Sequence, residues 1–257
     1  MPSANRESED FYVGYHKKMP SGLARFVSRT VAVLLLAVAA LAFAVPSLHR
    51  AYDFARNDFR DTREFEGVFL AQPAPHLVIV RPGETGAHAF SRYLLVGRGK
   101  SGPKIDTESL SGKHVRIRGS LIYRDAQTLI SVKSGEEIPA PASGFPAEPS
   151  GGASIGKFTL QGEIVDSKCY FGTMRPGHGS VHRACAIRCI AGGIPPVFVI
   201  RDDNDNRMSF MLIDADGSDV NKRVLPFVAD PLEITGEVIR MDDVFVLKAD
   251  PNTYVRL

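Results

Sequence analysis

Hydrophobic and polar positions divide the chain into three regimes. From Phe26 to Val45 the sequence FVSRTVAVLLLAVAALAFAV carries one charge, Arg29. An apolar run of about 20 residues has the length that crosses a bilayer as a helix. The pattern therefore predicts a transmembrane helix over 26–46, preceded by a polar segment, 1–25, containing Arg6, Lys17, Lys18 and Arg25. Basic residues before the run place that side in the cytoplasm and everything after Pro46 outside it. Ala42-Phe43-Ala44 also fits a small-x-small cleavage pattern, so a removed signal peptide is the alternative. Both readings put the body of the chain beyond the cytoplasmic membrane, in the periplasm. Over 47–64, Leu48, Tyr52, Ala55 and Phe59 recur at near-helical spacing among alternating charges, which predicts a helical stalk.

After Phe65 the period shortens to that of strands. FEGVFLAQ, HLVIVRPG, SRYLLVGRG, KHVRIRGSLIYRD and AQTLISVKS are separated by Gly, Pro and Asp-containing turns, with one short helix expected around Asp106 to Leu110. The segment 134–156 is so rich in Pro, Gly, Ala and Ser that it cannot bury a core and reads as a linker. Beyond it the strand pattern repeats in FTLQGEIVDS, PPVFVIRDD, RMSFMLIDADG and DPLEITGEVIRMDDVFVLKAD. In both sets a late strand runs through a central glycine, Gly119 or Gly236, before turning near Arg124 or Arg240. A glycine inside a strand marks the bulge or sharp coil that bends a small sheet closed. The expected architecture is all-β: two tandem five-stranded barrels, 65–133 and 157–257, after a single transmembrane helix.

The pattern GK-x-V-R-I-R-G, then Y-R-D, then I-x-V, from Gly112 to Val132, and its echo from Leu232 to Leu247 resemble the strand pair of OB-fold-like barrels. That resemblance implies an architecture and no activity, because such barrels host many unrelated functions.

Composition narrows the partners. With 31 basic and 29 acidic residues the formal charge is +2, too small a bias for a nucleic-acid footprint. Gly99-Lys100-Ser101 resembles the end of a phosphate-binding loop, but Leu94 stands where the motif needs glycine, so the segment reads as a turn and no nucleotide is expected. Asp202 to Asn206 crowd one loop, yet Arg207 occupies a position where a calcium loop needs an oxygen ligand, which leaves a solvated hairpin tip. His76, His88 and His114 have no partner visible in sequence and read as surface residues. No Ser-His-Asp order, paired-carboxylate motif or His-Glu-x-x-His helix points to a hydrolase.

What chemistry the chain offers is concentrated between Gly162 and Pro196, which holds all three cysteines and two of the seven histidines. Most of it is an insertion, 168–194, between the first two strands of the second barrel; the first barrel has only about Pro73 to Pro75 there. VHRACAIRCIAGG predicts a short helix ended by Gly192 or Gly193. On it His182, Cys185 and Cys189 fall at i, i+3 and i+7 and share a face, and Cys169 lies upstream on a loop able to fold back. Cys169, His182, Cys185 and Cys189 together form a tetrahedral sulfur and imidazole set suited to copper or zinc. Two alternatives stand beside it: a disulfide from Cys169 to Cys185 or Cys189, leaving one thiol, and a thiol-based redox enzyme with Cys185 or Cys189 as nucleophile, activated by His182 and nearby arginines. Haem attachment lacks its Cys-x-x-Cys-His signature.

The stretch Asp166 to Cys169, His182 to Cys185, Cys189 and Gly192 to Pro196 is similar to a group of bacterial membrane-anchored exported proteins. The resemblance implies attachment to the membrane and brings no catalytic residue with it. The functional expectation is an accessory or assembly subunit of a membrane redox complex, partnered by the membrane and other subunits; a purely structural module with a stapled loop is the other class.

Overall fold

The structure is a computed structural model and describes residues 19–49, 55–81, 89–124, 127–141, 152–204 and 206–257. Arg6, Lys17, Lys18, His88, Asp125, Asp205 and most of the expected linker, 142–151, lie outside the described residues. Residues 1–53 and 54–257 form separate compact units. In the first, α1 (Ser21–His49) contains a stretch, Ser21–Ser47, long and apolar enough to cross a membrane.

The helical stalk expected over 47–64 does not continue past His49 in its described part. Arg56–Asn57 forms β1 instead, and Arg63 already begins β2. The reason is pairing: β1 lies antiparallel on β5 (His114–Arg124), Arg56 opposite Tyr123 and Asn57 opposite Ile122. Ladder hydrogen bonds on a sheet edge override a mixed, weakly amphipathic pattern.

The first barrel comprises β2 (Arg63–Leu70), β3 (His76–Val80), β4 (Phe90–Val96), α2 (Thr107–Leu110), β5 (His114–Arg124) and β6 (Gln127–Glu137). β2 pairs antiparallel with β3 and β5, β3 with β4, and β5 with β6, while β4 and β6 run parallel and close the ring. The second barrel repeats this circuit with β7 (Ala153–Asp166), β8 (Pro196–Arg201), β9 (Arg207–Ile213), α4 (Asn221–Val224), β10 (Pro231–Met241) and β11 (Val244–Lys248). Again the third and fifth strands, β9 and β11, are the parallel pair. A short strand, β12 (Val255–Arg256), extends it against β10. Both rings are closed, OB-like barrels, as the strand pattern predicted. The linker is shorter than its composition suggested, because Ser134–Glu137 pair with Val115–Arg118 and Ala153 onward pairs with β10.

The two central glycines serve close approach. A Cβ on Gly119 would lie 2.5 Å from Ile130 Cγ2 and 2.6 Å from the Ser131 carbonyl; one on Gly236 would lie 2.7 Å from the Lys248 carbonyl. At Gly119 the register against β6 also shifts, as expected. In the second barrel the shift falls instead between Val238 and Ile239, against β7.

Each barrel has its own interior, with Phe69, Leu77, Leu95 and Ile117 in the first and Ile164, Phe198, Phe210 and Leu232 in the second. A third core lies between them. Leu94 and Val96 of β4, Ile122 of β5 and Leu129 of β6 meet Val197 and Val199 of β8, Met211 and Ile213 of β9, and Val244 and Val246 of β11. Strands that are apolar on both faces, such as YLLV and VFVI, are therefore buried on both faces.

A buried polar chain crosses the same interface. Arg92 Nε donates to Asp242 Oδ2 at 2.7 Å, and Arg92 Nη1 lies 2.8 Å from His76 Nε2. Because the guanidinium can only donate, Nε2 accepts, so His76 is neutral and donates from Nδ1 to the Ala74 carbonyl, 2.7 Å away. This corrects the reading of His76 as a surface residue: it is fully buried. Burial, with the Arg92 charge adding to it, pushes its pKa down from 6.5 to about 4. A folded pKa below the unfolded one means that the unfolded chain takes up the proton first. Stability from this site is thus complete above pH 6.5, falls as the pH drops from 6.5 to 4, and amounts to about 3 kcal/mol. Urea unfolding at a series of pH values, with His76→Gln alongside, should show the wild type losing this extra increment; parallel curves for the two would contradict it.

Candidate thiol site at the barrel interface

Two elements of the insertion carry the cysteines. The chain leaves β7 at Asp166, makes one wide helical turn over Cys169–Thr173, and returns through a short turn, Ser180–His182, into α3 (Arg183–Ala191). The Asp166 carboxylate starts the first turn: its Oδ1 accepts the Cys169 N–H at 2.8 Å, as an N-cap does. α3 lies across two cores, with Ala186 and Ile190 in the second barrel and Cys189 in the shared core. Its last carbonyls are served first by the chain itself, Arg188, Cys189 and Ile190 accepting from the N–H groups of Gly192, Ile194 and Gly193. Asn221 Nδ2 satisfies the Ile190 carbonyl at 2.8 Å and that of Ile194 at 3.0 Å. The helix ends at Gly192, and Gly193, at φ 94°, turns the chain away in the left-handed region.

This arrangement gathers the sulfurs of Cys169, Cys185 and Cys189 within 4.8 Å of one another. All three are free thiols; Cys169 and Cys189 are buried and Cys185 is partly exposed. The helical spacing thus brings Cys185 and Cys189 together as expected, and Cys169 folds back onto them.

His182 does not join that group. It belongs to a neighbouring cluster, Asp166, Cys169 and His182, again within 4.8 Å. Its Nε2 is 3.1 Å from Asp166 Oδ2, and since an ionised carboxylate only accepts, Nε2 carries the hydrogen. The physical reason is the backbone: His182 sits in the turn before α3, so the i, i+3, i+7 stripe is broken at its first member. The expected four-residue set therefore resolves into three sulfurs, with Cys169 held from behind by a carboxylate and an imidazole. His178 is engaged elsewhere, 3.5 Å from Glu163.

The thiols are electrostatically unequal. A hydrogen bond from Cys169 to Cys189, together with burial and the Asp166 charge, holds the Cys169 thiol far above its ordinary pKa; the same bond lowers that of Cys189. Two lysines frame the cluster. Lys168 is buried and donates to the Gly97 carbonyl at 2.6 Å and the Gly99 carbonyl at 2.8 Å. Lys100 is exposed, and interaction with Cys185 raises its pKa and so favours its charged form. Both contacts involve the 97–102 loop of the first barrel, so the other barrel completes the site.

Asp166, Lys168 and Lys100 were not anticipated as parts of the site. Asp166 was legible: an aspartate three residues before Cys169, at a strand end, is a capping position. Lys100 sits in the turn dismissed as a phosphate loop, 69 residues from Cys169, and no local signal links the two.

No family model and no curated protein matches this chain. Among solved structures, a deletion mutant of the single-stranded DNA binding protein from Thermus aquaticus is similar at 11% identity, covering 79% of this chain and 95% of that one, with a TM-score of 0.22. At that score the likeness bears neither on the fold nor on a partner.

Proposed function

We propose that this chain is a membrane-anchored exported protein that holds a soft metal ion on Cys169, Cys185 and Cys189, as an accessory or assembly subunit of a membrane redox complex. The observation that carries the reading is the convergence of three sulfurs within 4.8 Å, two of them buried in a core to which both barrels contribute. Thiolates select copper(I) or zinc over hard cations, and a buried trio is poorly placed for general thiol exchange. The apolar helix α1 supports the anchor, and the basic residues before it support export of the barrels. The near-zero charge balance gives no support to nucleic acid as a partner. One feature favours a second reading, a thiol-based redox protein: the Cys169 to Cys189 hydrogen bond polarises the pair toward a Cys189 thiolate. Elemental analysis of protein purified anaerobically from the exported fraction separates them. One equivalent of copper or zinc in the wild type, lost in Cys185→Ser, is expected; a metal-free wild type that accepts an intramolecular disulfide would replace the first reading by the second.

A further inference from the structure

The metal reading leaves two questions: which ion, and why a loop of the other barrel is fastened over the thiols. That loop is held by three hydrogen bonds and by close packing. The buried Lys168 ammonium binds the Gly97 and Gly99 carbonyls, the Gly102 N–H donates to the Gly192 carbonyl at 2.9 Å, and the Lys100 backbone is pressed against Gly192 at the end of α3, with its side chain toward Cys185. The fit at the helix end leaves no slack, since a Cβ on Gly192 would stand 1.9 Å from the Lys100 carbonyl oxygen.

Resting on the metal reading above, we infer that the 97–102 loop makes the site specific for a three-coordinate, monovalent soft cation, copper(I), with Lys100 as the residue that sets this preference over a divalent ion. Coordination number favours the monovalent ion. Among the described residues no fourth His, Cys, Asp or Glu atom falls within 4.8 Å of all three sulfurs, and the nearest candidates, Asp166 and His182, are bonded to each other. Structural zinc takes four protein ligands, whereas copper(I) is content with three sulfurs. Charge favours it too. Binding displaces the thiol protons, so three thiolates and a monovalent ion leave two negative charges, against one for a divalent ion. A buried anionic complex requires counter-charge. Two ammoniums stand beside these sulfurs, and the buried one, Lys168, has neutral carbonyls as its hydrogen-bond partners. Burial lowers the Lys168 pKa, and negative charge on Cys169 and Cys189 acts against that penalty.

The test uses the full chain in detergent micelles under anaerobic conditions. Copper(I) affinity is read by competition with a chromophoric chelator and zinc(II) affinity with an indicator dye, for wild type, Lys100→Gln, Lys100→Arg and Cys185→Ser. Lys100 is exposed, so its variants keep the fold, and far-ultraviolet circular dichroism verifies this. One copper(I) per wild-type chain is expected. Lys100→Gln should weaken copper(I) about fivefold, the upper end for a solvent-exposed charge contact, and zinc(II) less, with Lys100→Arg restoring the wild-type ratio. Equal copper-to-zinc preference in wild type and Lys100→Gln would overturn the inference while leaving the metal reading intact. Absence of binding by the wild type, or binding that survives Cys185→Ser, would remove both.

Discussion

Asp242→Ala is expected to lower the unfolding free energy by about 3 to 5 kcal/mol, the range for breaking a buried ion pair by removing one member. Both side chains of the Arg92 to Asp242 pair are almost wholly excluded from solvent, at 2% and 4% exposure, so the guanidinium facing Asp242 has little water to replace the carboxylate. A second penalty falls on the backbone. Asp242 has a φ of 54°, a left-handed position that aspartate and asparagine tolerate better than alanine. Asp242→Asn keeps that tolerance and an acceptor for Arg92, and should lose distinctly less. Chemical unfolding of the three proteins gives the ranking; a cost for Ala within 1 kcal/mol of wild type would show that the pair does not hold the barrels together. The neighbouring pair, Arg81 with Asp243 at 2.8 Å, is more exposed and is expected to contribute little.

Tyr170→Ala should be of similar size, about 3 to 5 kcal/mol, because it removes a large side chain from a packed core. Tyr170 is 2% exposed, lies edge-on to Phe171 with centroids 5.4 Å apart, and stands under the Arg124 guanidinium at 4.3 Å. It is also the residue after Cys169, so the cavity opens directly beside the thiols. Loss of stability should therefore come with loss of tight metal binding, whereas Phe69→Ala, in the separate interior of the first barrel, should cost stability without a direct effect on the thiols. Thermal unfolding and chelator competition on both variants distinguish the two; unchanged stability in Tyr170→Ala would mean that the shared core tolerates the void.

The ten barrel strands were legible because each is a short apolar run bounded by turn residues, and the repeat of their order made the second barrel readable from the first. The pairing of cysteines on α3 was legible for the same kind of reason, since 3.6 residues per turn fixes Cys185 and Cys189 on one face. What was not legible is what depends on long-range contact. His76 looked isolated because its side-chain partner, Arg92, is 16 residues away, and the carboxylate that Arg92 pairs with, Asp242, is a further 150. His182 looked like a ligand because the stripe was extrapolated one residue too far, into a turn. The apolar content of β4 and β8 on both faces carried the signal for a shared core, but a two-faced run does not say whether the second face meets a helix, a membrane or another barrel. Residues 55–64 were misread for the opposite reason: their local spacing suited a helix, and a distant strand edge decided otherwise.

The shared core draws on the third and fifth strands of both barrels, with the fourth strand, β5, added from the first and the second strand, β8, from the second, so the two barrels present largely but not wholly corresponding faces. A homodimer of identical barrels would be bound by two-fold symmetry: any loop inserted at the seam would appear twice, and both copies would compete for the same space. Joining the barrels in one chain lifts the restriction. One copy keeps a short connection at Ala71 to Pro75, while the other spends the room on the cysteine-bearing excursion, and the turn at 97–102 is free to diverge into its cover. Covalent fusion thus converts what would be two identical half-sites into a donor and a host, each able to change its sequence without the same change being imposed across the seam.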